Sequence, residues 1–149
     1  MRAVVQRVTR AQVRAGDEVV GSIGAGLLVF VGVGVEDDSS DAVALAAKVA
    51  GLRIFRDGDG NMNRDVGEAG GAVMVISQFT LHGDVRKGRR PSFIAAARPE
   101  DAEPLYERVA EELRARGLET ARGRFGATMA VELVNDGPVT ILLDTKRVF

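Results

Sequence analysis

Three short segments carry the side chains that could do chemistry or bind a charged ligand. Residues 77–81 read Ser-Gln-Phe-Thr-Leu, and their hydroxyl and amide groups can bind or attack a carbonyl group. Residues 135–140 read Asn-Asp-Gly-Pro-Val-Thr, which by default predicts a tight turn between two strands. The third segment concentrates four cations, namely Arg86, Lys87, Arg89 and Arg90. Phosphate contact is one function of such a patch, and a solvated loop is the alternative.

The residue types that are missing exclude several kinds of site. The chain has no cysteine and a single histidine, His82. Disulfides, thiolate catalysis, iron–sulfur clusters and multi-histidine metal sites are therefore excluded. His82 lies close in sequence to Ser77 and Thr80, but a nucleophile and its base need hydrogen-bond reach and an orienting third group. We therefore favour a solvated loop histidine over a catalytic one.

Residues 57–68 imitate a calcium-binding loop without its structural context. Their Asp, Asn and Glu side chains stand where such a loop places oxygen ligands. Met62, however, occupies the position at which the sharp turn needs glycine, and residues 53–56 read as a strand, not as a helix. The sequence therefore predicts an Asp- and Gly-rich turn and no metal.

The glycines at 21–26 and 32–34 follow neither dinucleotide nor phosphate-loop spacing, so no nucleotide cofactor is expected.

Length and composition predict one globular domain over residues 1–149. The 20 Lys and Arg residues nearly balance the 21 Asp and Glu residues, and the net charge of -1 excludes a globally basic nucleic-acid binder. The longest apolar run, residues 27–35, is too short to span a bilayer, and the opening residues lack the apolar region of a signal peptide. We therefore expect a cytoplasmic protein with no membrane partner.

The elements that must position these segments are many strands and two helices. Strand residues are predicted at 3–9, 12–14, 18–23, 26–33, 53–56, 72–77, 129–133 and 139–143. One helix is predicted over residues 41–50, and a second begins near Asp101, carries Pro104 in its first turn and closes at Gly117. The order, roughly βββ-α-ββ-α-βββ, predicts a mixed α/β fold in which two helices pack on a strongly curved, barrel-like sheet.

Together, the three segments resemble the signature blocks of a known family. Residues 77–81, 87–93 and 135–140 are similar, in this order, to those of the D-aminoacyl-tRNA deacylases, which are also called D-tyrosyl-tRNA deacylases. The opening residues 1–8 and the stretch 123–129 match as well. The likeness therefore covers essentially the whole chain.

This resemblance implies a homodimeric, cytosolic hydrolase that removes D-amino acids from mischarged tRNA and uses no cofactor. The residues that it places around the pocket are Ser77, Gln78, Phe79 and Thr80, with Phe125, Ala127 and Met129 enclosing the terminal adenosine. It also implies a cis bond between Gly137 and Pro138, braced by Arg7, that enters the pocket of the partner subunit and senses chirality. Many members have an aromatic residue where this chain has His82, so the resemblance assigns no catalytic base there.

The chemistry of the implied substrate fits these residues. An aminoacyl ester is already activated, so its hydrolysis mainly needs a positioned water and donors for the oxyanion, such as backbone N–H groups near Phe79 and Thr80. Thr80 either attacks the ester or positions water, and the 2′-hydroxyl of the ribose can assist. We favour attack by water that the 2′-hydroxyl assists, because no base near Thr80 is evident.

Rigid carbonyls at 137–138 would exclude an L side chain. They would not exclude the hydrogen of glycine, so glycyl-tRNA is an expected secondary substrate.

Two interpretations from other classes stay open at this point. A non-catalytic RNA-binding module would use the cations of residues 86–90, and would bind tRNA with a steep salt dependence but without changing the half-life of the ester. A calcium-dependent interaction domain would use residues 57–68, and calcium would raise its free energy of unfolding.

Overall fold

The sheet is organised by its long first strand. The computed structural model describes residues 1–149, and its elements in chain order are β1 (Arg2–Ala15), β2 (Glu18–Ile23), β3 (Gly26–Gly32), α1 (Ser39–Ala50), β4 (Phe55–Arg56), β5 (Met62–Arg64), β6 (Ala72–Ser77), a 3₁₀ turn (Phe79–His82), α2 (Pro99–Ala115), β7 (Thr120–Arg122) and β8 (Ala130–Asp144). β1 pairs antiparallel with β2, β3 and β8, β6 lies parallel to β3, and β7 lies parallel to β6. β4 and β5 form a separate hairpin.

The predicted fold class is confirmed, because two helices pack on a nearly closed, barrel-like sheet. Two strands are longer than the sequence pattern indicates. β1 runs unbroken through residues 9–12, where a register shift before Arg10 accompanies a change of neighbouring strands. β8 likewise continues through residues 135–138, and both of its halves pair with β1. The prediction that residues 135–138 form a tight turn between two strands is therefore wrong, because the structure has one strand there.

Apolar runs explain which strands form the centre of the sheet. All of β3 except Phe30 and all of β6 except Ser77 is buried, as expected for parallel neighbours covered on both faces. The larger core cluster lies between the sheet and the helices, and its helical members include Leu45, Val49, Tyr106, Val109 and Leu113. A second cluster, which includes Met74 and Ile76, fills the opposite face of the same strands. The two clusters together hold β6 from both faces, and they thereby position Ser77 at its end.

The helix ends follow local capping chemistry. Asp38 accepts hydrogen bonds from the first turn of α1 while the Asp41 side chain accepts from the Asp38 N–H, which is a capping box. α2 begins at Pro99, so Pro104 lies in its second turn and not in its first. Gly117, with φ of 82°, closes α2 as the sequence predicts. Neither helix is long and apolar enough to cross a membrane.

The calcium-like segment is the predicted turn. The Asp57 N–H donates to the Asn61 carbonyl across 2.8 Å, and the Asp57 carboxylate accepts in return from the N–H groups of Asp59 and Asn61. The Glu68 carboxylate is engaged by the Asp65 N–H across 2.9 Å. The carboxylates of this segment thus cap backbone groups, and no group of three or more His, Asp or Glu side chains in the chain could hold a metal ion.

Candidate active site

A pocket of about 640 Å³ opens where β6, the 3₁₀ turn and the start of α2 meet. Six of the predicted site residues line it, namely Ser77, Gln78, Phe79, Phe125, Ala127 and Met129. The remaining walls include residues that the sequence does not single out, among them Val33, Ala96, Ala97, Pro99 and Ala102. Most of the lining is apolar and none of it is ionisable. Such a pocket suits a ligand that is recognised by shape and by a few neutral hydrogen bonds.

A glycine on β3 lets the 3₁₀ turn pack directly against the sheet. The Gln78 N–H donates to the Val31 carbonyl across 2.7 Å, which ties the start of the turn to β3. A Cβ on Gly32 would lie 2.9 Å from the Gln78 carbonyl oxygen and 3.0 Å from the Leu81 Cβ. Since real Cβ atoms do not approach a carbonyl oxygen that closely, the position of the turn depends on glycine at this place.

The first two residues of the turn present backbone donors without partners in the turn. The first bonded N–H is that of Leu81, which donates to the Gln78 carbonyl, so the N–H groups of Phe79 and Thr80 precede the hydrogen-bonded part. Thr80 is exposed and is not among the residues that line the pocket, and its hydroxyl accepts from Gln78 Nε2 across 2.5 Å. No imidazole or carboxylate is hydrogen-bonded to it. The turn therefore offers donors for a developing oxyanion, whereas the hydroxyl has no activating base.

Two aromatic rings stand at the pocket. Phe79 and Phe93 meet edge to face with their centroids 5.0 Å apart. Phe79 is nevertheless 55% exposed, which is unusual for a phenylalanine that already has an aromatic partner. An exposed apolar ring beside a pocket is typical of a surface that contacts a ligand.

The inner wall rests on a tyrosine that the sequence analysis missed. The Tyr106 ring lies 5.8 Å from Phe125, and its hydroxyl donates to the Val75 carbonyl across 2.9 Å. Burial raises the pKa of Tyr106 to about 12, so the phenol stays neutral. The helical periodicity of α2 could have found it, because Tyr106 lies three residues before Val109 and seven before Leu113, which are both buried.

His82 is not the solvated loop histidine that the sequence predicts. It is 8% exposed and lies against β3, where a Cβ on Gly32 or Gly34 would come within 3.1 Å of its ring. Burial lowers its pKa, which the backbone of Gly32 partly opposes. Its Nε2 has no hydrogen-bond partner, and its ring makes no hydrogen bond to Ser77 or Thr80. The imidazole therefore packs under the turn and does not act as a base for a hydroxyl of the site.

The cationic loop is a small hairpin beside the same turn. Asp84 and Ser92 exchange two backbone hydrogen bonds of 2.8 and 2.9 Å, which close the loop at its base. Arg86 forms an ion pair with Asp84 and lowers the pKa of that carboxyl to about 2. The other three cations of the loop, Lys87, Arg89 and Arg90, are exposed and form no ion pair. The loop therefore carries three exposed charges that have no acidic partner.

The segment around Gly137 is a corner within β8. Between the paired positions Gln6–Thr140 and Val8–Asn135, β8 has four residues where β1 has one, Arg7. Gly137 has φ of 142°, and a Cβ there would lie 2.8 Å from the Val139 nitrogen, so only glycine fits. The Gly137–Pro138 peptide bond is cis.

Arg7 holds this corner from beneath. It is 3% exposed, and its guanidinium donates to the carbonyls of Asp136 and Ile54 across 3.1 and 2.5 Å. Within the corner, Asn135 accepts from the Val139 N–H across 2.8 Å. The corner itself is exposed, and none of Arg7, Gly137 and Pro138 lines the pocket of its own chain.

Comparisons with known proteins agree with this geometry. The family model described as D-Tyr-tRNA(Tyr) deacylase matches residues 4–144. The D-aminoacyl-tRNA deacylase of Symbiobacterium thermophilum is 63% identical over 149 residues, which is 100% of this chain and 99% of that protein. The D-aminoacyl-tRNA deacylase of Anaeromyxobacter dehalogenans is 60% identical over 149 residues, with 100% of both chains covered.

Two solved structures share the fold. One, named c-Myc DNA Unwinding Element Binding Protein, has a TM-score of 0.91 and 40% identity, and covers 97% of this chain and 99% of its own. The other, described as a probable eukaryotic D-amino acid tRNA deacylase, has a TM-score of 0.80 over 95% and 97% of the two chains, and at 17% identity it shows the fold alone. Family model and relatives both extend over nearly the whole chain, and the chain belongs to the D-Tyr-tRNA(Tyr) deacylase family.

Proposed function

We propose that this protein hydrolyses the ester bond of D-aminoacyl-tRNA and releases the free D-amino acid and the tRNA. The observation that carries the proposal is the neutral pocket lined by Ser77, Gln78 and Phe79, at which the 3₁₀ turn begins with two backbone donors that have no partner in the turn. An ester needs no strong base to be hydrolysed, so donors for the oxyanion and a positioned water supply the main requirements.

In this mechanism the N–H groups of Phe79 and Thr80 hold the ester carbonyl. Water adds to the carbonyl carbon, negative charge develops on the carbonyl oxygen, and those donors stabilise it. The bond between the carbonyl carbon and the ribose oxygen then breaks, and the proton lost by water ends on that ribose oxygen. The Thr80 hydroxyl positions water or the amino group of the substrate, and the neighbouring 2′-hydroxyl of the ribose assists the proton transfer.

Chirality is sensed, in this proposal, by the corner of a second copy of the chain. Gly137 and Pro138 are exposed and lie outside the pocket of their own chain, so they are free to enter the pocket of a partner. Arg7 and Asn135 brace the corner, and its main-chain carbonyls would then meet an L side chain. A D side chain points elsewhere, and glycine has no side chain to exclude, which makes glycyl-tRNA a secondary substrate.

The body of the tRNA contacts the cationic loop. Lys87, Arg89 and Arg90 have no acidic partner and can neutralise phosphates, whereas Arg86 is engaged by Asp84. Phe125, Ala127 and Met129 line the pocket and would enclose the terminal adenosine. No metal ion takes part in the proposed steps, and a cytoplasmic location would give access to charged tRNA.

The experiment compares D-tyrosyl-, L-tyrosyl- and glycyl-tRNA with the purified protein in the presence of a chelator. Rapid loss of the D ester, slower loss of the glycyl ester and no acceleration for the L ester are expected. Equal, uncatalysed decay of the D and L esters, both with the chelator and with an added divalent cation, would overturn the proposal. Activity that disappears with the chelator and returns with a divalent cation would contradict the metal-independent mechanism alone.

Subunit mixing tests the cross-subunit site. Gly137→Val disrupts the corner because of its φ and should hydrolyse the L ester as well as the D ester, whereas Ala127→Trp fills the pocket and should be inactive. In a randomly mixed population half of the intact pockets would receive an intact corner from the partner, so the rate on the L ester per Gly137→Val chain should fall by about half. An unchanged rate on the L ester, in a sample that native mass spectrometry shows to contain mixed dimers, would mean that each chain holds a complete site.

A non-catalytic nucleic-acid-binding module is the second candidate, and the three unpaired loop cations favour it. One structural relative is named for binding a DNA unwinding element, which is a property of that protein. Binding of this chain to tRNA and to duplex DNA, measured over a range of salt concentrations, separates the candidates. The module predicts salt-dependent binding with an unchanged ester half-life.

A further inference from the structure

Arg2 joins the 3₁₀ turn to the last strand of the sheet. Its Nη1 donates to the Leu81 carbonyl across 3.0 Å, and its Nε donates to the Asp144 carboxylate across 3.1 Å. The Asp144 side chain is 2% exposed and also accepts from the Lys146 N–H across 2.7 Å, so it is held from two sides. The Phe149 ring lies 5.7 Å from the guanidinium. The arginine is thus a fixed bridge between two elements.

The register of the strands explains how one side chain reaches both groups. Arg2 stands opposite Gly32 on β3 and opposite Asp144 on β8, so the three positions share one face of the sheet. Gly32 has no side chain, and the turn occupies the space above it. The guanidinium therefore extends over β3 to Leu81 while its Nε stays beside Asp144. A lysine could not make both contacts, because its ammonium is a single point charge.

The other side chain under the turn makes no contact with β8. His82 packs beside the same glycine and interacts with the Gly32 backbone, and its Nε2 has no hydrogen-bond partner. Arg2 is therefore the cation that ties the second half of the turn to the neighbouring strand. It lies outside the walls of the pocket and cannot touch a reacting atom there.

We propose that Arg2 is a positioning residue for the hydrolytic site. By bridging Asp144 and the Leu81 carbonyl, it keeps the turn in the place where the N–H groups of Phe79 and Thr80 point at the ester carbonyl. This inference rests on the proposed function, since the aim of these donors matters only if they bind the reacting group. A displacement of about 1 Å at a reacting centre can lower a rate about a hundredfold. Loss of the bridge should therefore lower kcat and leave the binding of tRNA unchanged.

The test uses Arg2→Met and Arg2→Lys in the full-length protein, with Arg10→Met as the matched control. Arg10 is an exposed arginine on the same strand. We expect Arg2→Met to lower kcat for D-tyrosyl-tRNA about tenfold or more while KM stays within about twofold. Arg2→Lys should recover only part of the loss, and Arg10→Met should match the parent protein. Amide hydrogen exchange should become faster at Leu81 and Gly83 and not in β3 or β6.

The outcomes separate this inference from the proposed function and from a merely structural role. A parent protein that leaves the D ester intact refutes the proposed function, and hydrogen exchange then still decides whether Arg2 holds the turn. A structural role would lower the unfolding temperature with kcat unchanged at temperatures well below it. If Arg2→Met does not fold, Arg2→Lys and Asp144→Asn give the same comparison. Parent-like kcat and exchange in the folded variants would overturn the inference.

Discussion

The side-chain amide of Gln78 donates a hydrogen bond of 2.5 Å to the hydroxyl oxygen of Thr80. This contact uses a lone pair of that oxygen and leaves the hydroxyl proton free to bind a ligand. A nucleophilic threonine would need the opposite arrangement, in which a base accepts its proton. The contact from Gln78 therefore leaves the Thr80 hydroxyl to act as a donor in the proposed site.

Replacing Thr80 should impair hydrolysis without abolishing it. We expect Thr80→Ala to slow the D ester about ten- to a hundredfold, since one positioning group is lost while the backbone donors remain. Thr80→Ser is the matched control and should stay close to the parent. Single-turnover kinetics gives the rates, and mass spectrometry of acid-quenched reactions detects any acyl-enzyme. Complete loss of activity in Thr80→Ala, together with a trapped acyl group on Thr80 of the parent, would refute the assisted-water mechanism.

Replacing Arg7 should lower both the free energy of unfolding and the ratio of the rates on the D and L esters. Arg7→Lys cannot keep the contacts to Ile54 and Asp136 together, which costs about 1.5–3 kcal/mol for a charged hydrogen bond. The unfolding temperature should fall by about 2–4 °C per kcal/mol for a chain of this size. A less rigid corner should also admit L-tyrosyl-tRNA, so the ratio of D to L rates should fall.

Calorimetry and paired D and L assays check both effects, with Arg10→Lys on the same strand as the control. An unchanged ratio of D to L rates in a destabilised Arg7→Lys protein would remove Arg7 from chirality sensing.

The three unpaired cations of the loop should set the salt dependence of tRNA binding. Alanine at Lys87, Arg89 or Arg90 should lower the slope of log K against log salt by about 0.7–0.9 each, whereas Arg86→Ala should change it less because Asp84 already engages that charge. Titrations of full-length tRNA at several salt concentrations measure the slope. Arg108→Ala on α2 is the control, and a D-tyrosyl ester of adenosine alone should react equally well with every variant. Equal slopes for Arg89→Ala and the control would show that the loop does not meet the RNA.

The buried imidazole should make the folded state less stable in mild acid. The pKa of His82 is lowered in the folded protein, so below its ordinary value of about 6.5 the unfolded chain binds one proton more. The resulting contribution to the free energy of unfolding is fully present above pH 6.5. It is lost as the pH falls below that value, with a slope of at most about 1.4 kcal/mol per pH unit. Urea unfolding between pH 7.5 and 4.5 measures it.

His82→Phe keeps a planar ring and should remove the pH dependence of the free energy of unfolding above pH 4.5. A second loss of stability, below about pH 4, should persist in the variant. Burial would raise the pKa of Asp41, but hydrogen bonds from Lys146 and Thr145 outweigh it and hold that pKa below its usual value. The same slope above pH 4.5 in both proteins would mean that another group is responsible.

Apolar runs predicted the central strands, which are buried on both faces, and helical periodicity predicted the two helices, each of which buries one face. The errors lie where tertiary contacts decide. Residues 135–138 have the composition of a hairpin turn, yet the Arg7 guanidinium and the pairing of both flanks with β1 hold them inside one strand. His82 reads as a solvated loop residue, because no local pattern shows that two glycines of β3 leave room for its ring.

Many of the residues that line the pocket could be predicted from the resemblance to the family, and few of them from the spacing of residue types along the chain. The segment 77–79 and the residues Phe125, Ala127 and Met129 do line one cavity. Tyr106, Pro99 and Ala102 come to the same place only because α2 packs across the end of β6, which is a long-range contact. Arg2 was missed for the same reason, since its partners lie 79 and 142 residues away along the chain.

The pocket walls contain no ionisable side chain. In the proposed hydrolysis, the titrating group nearest the scissile bond would therefore be the amino group of the bound amino acid, since α-amino groups have pKa values of about 7.7–8.0. We expect the pH optimum to follow the substrate, so that two D-aminoacyl esters with different amine basicities show different optima in the same protein.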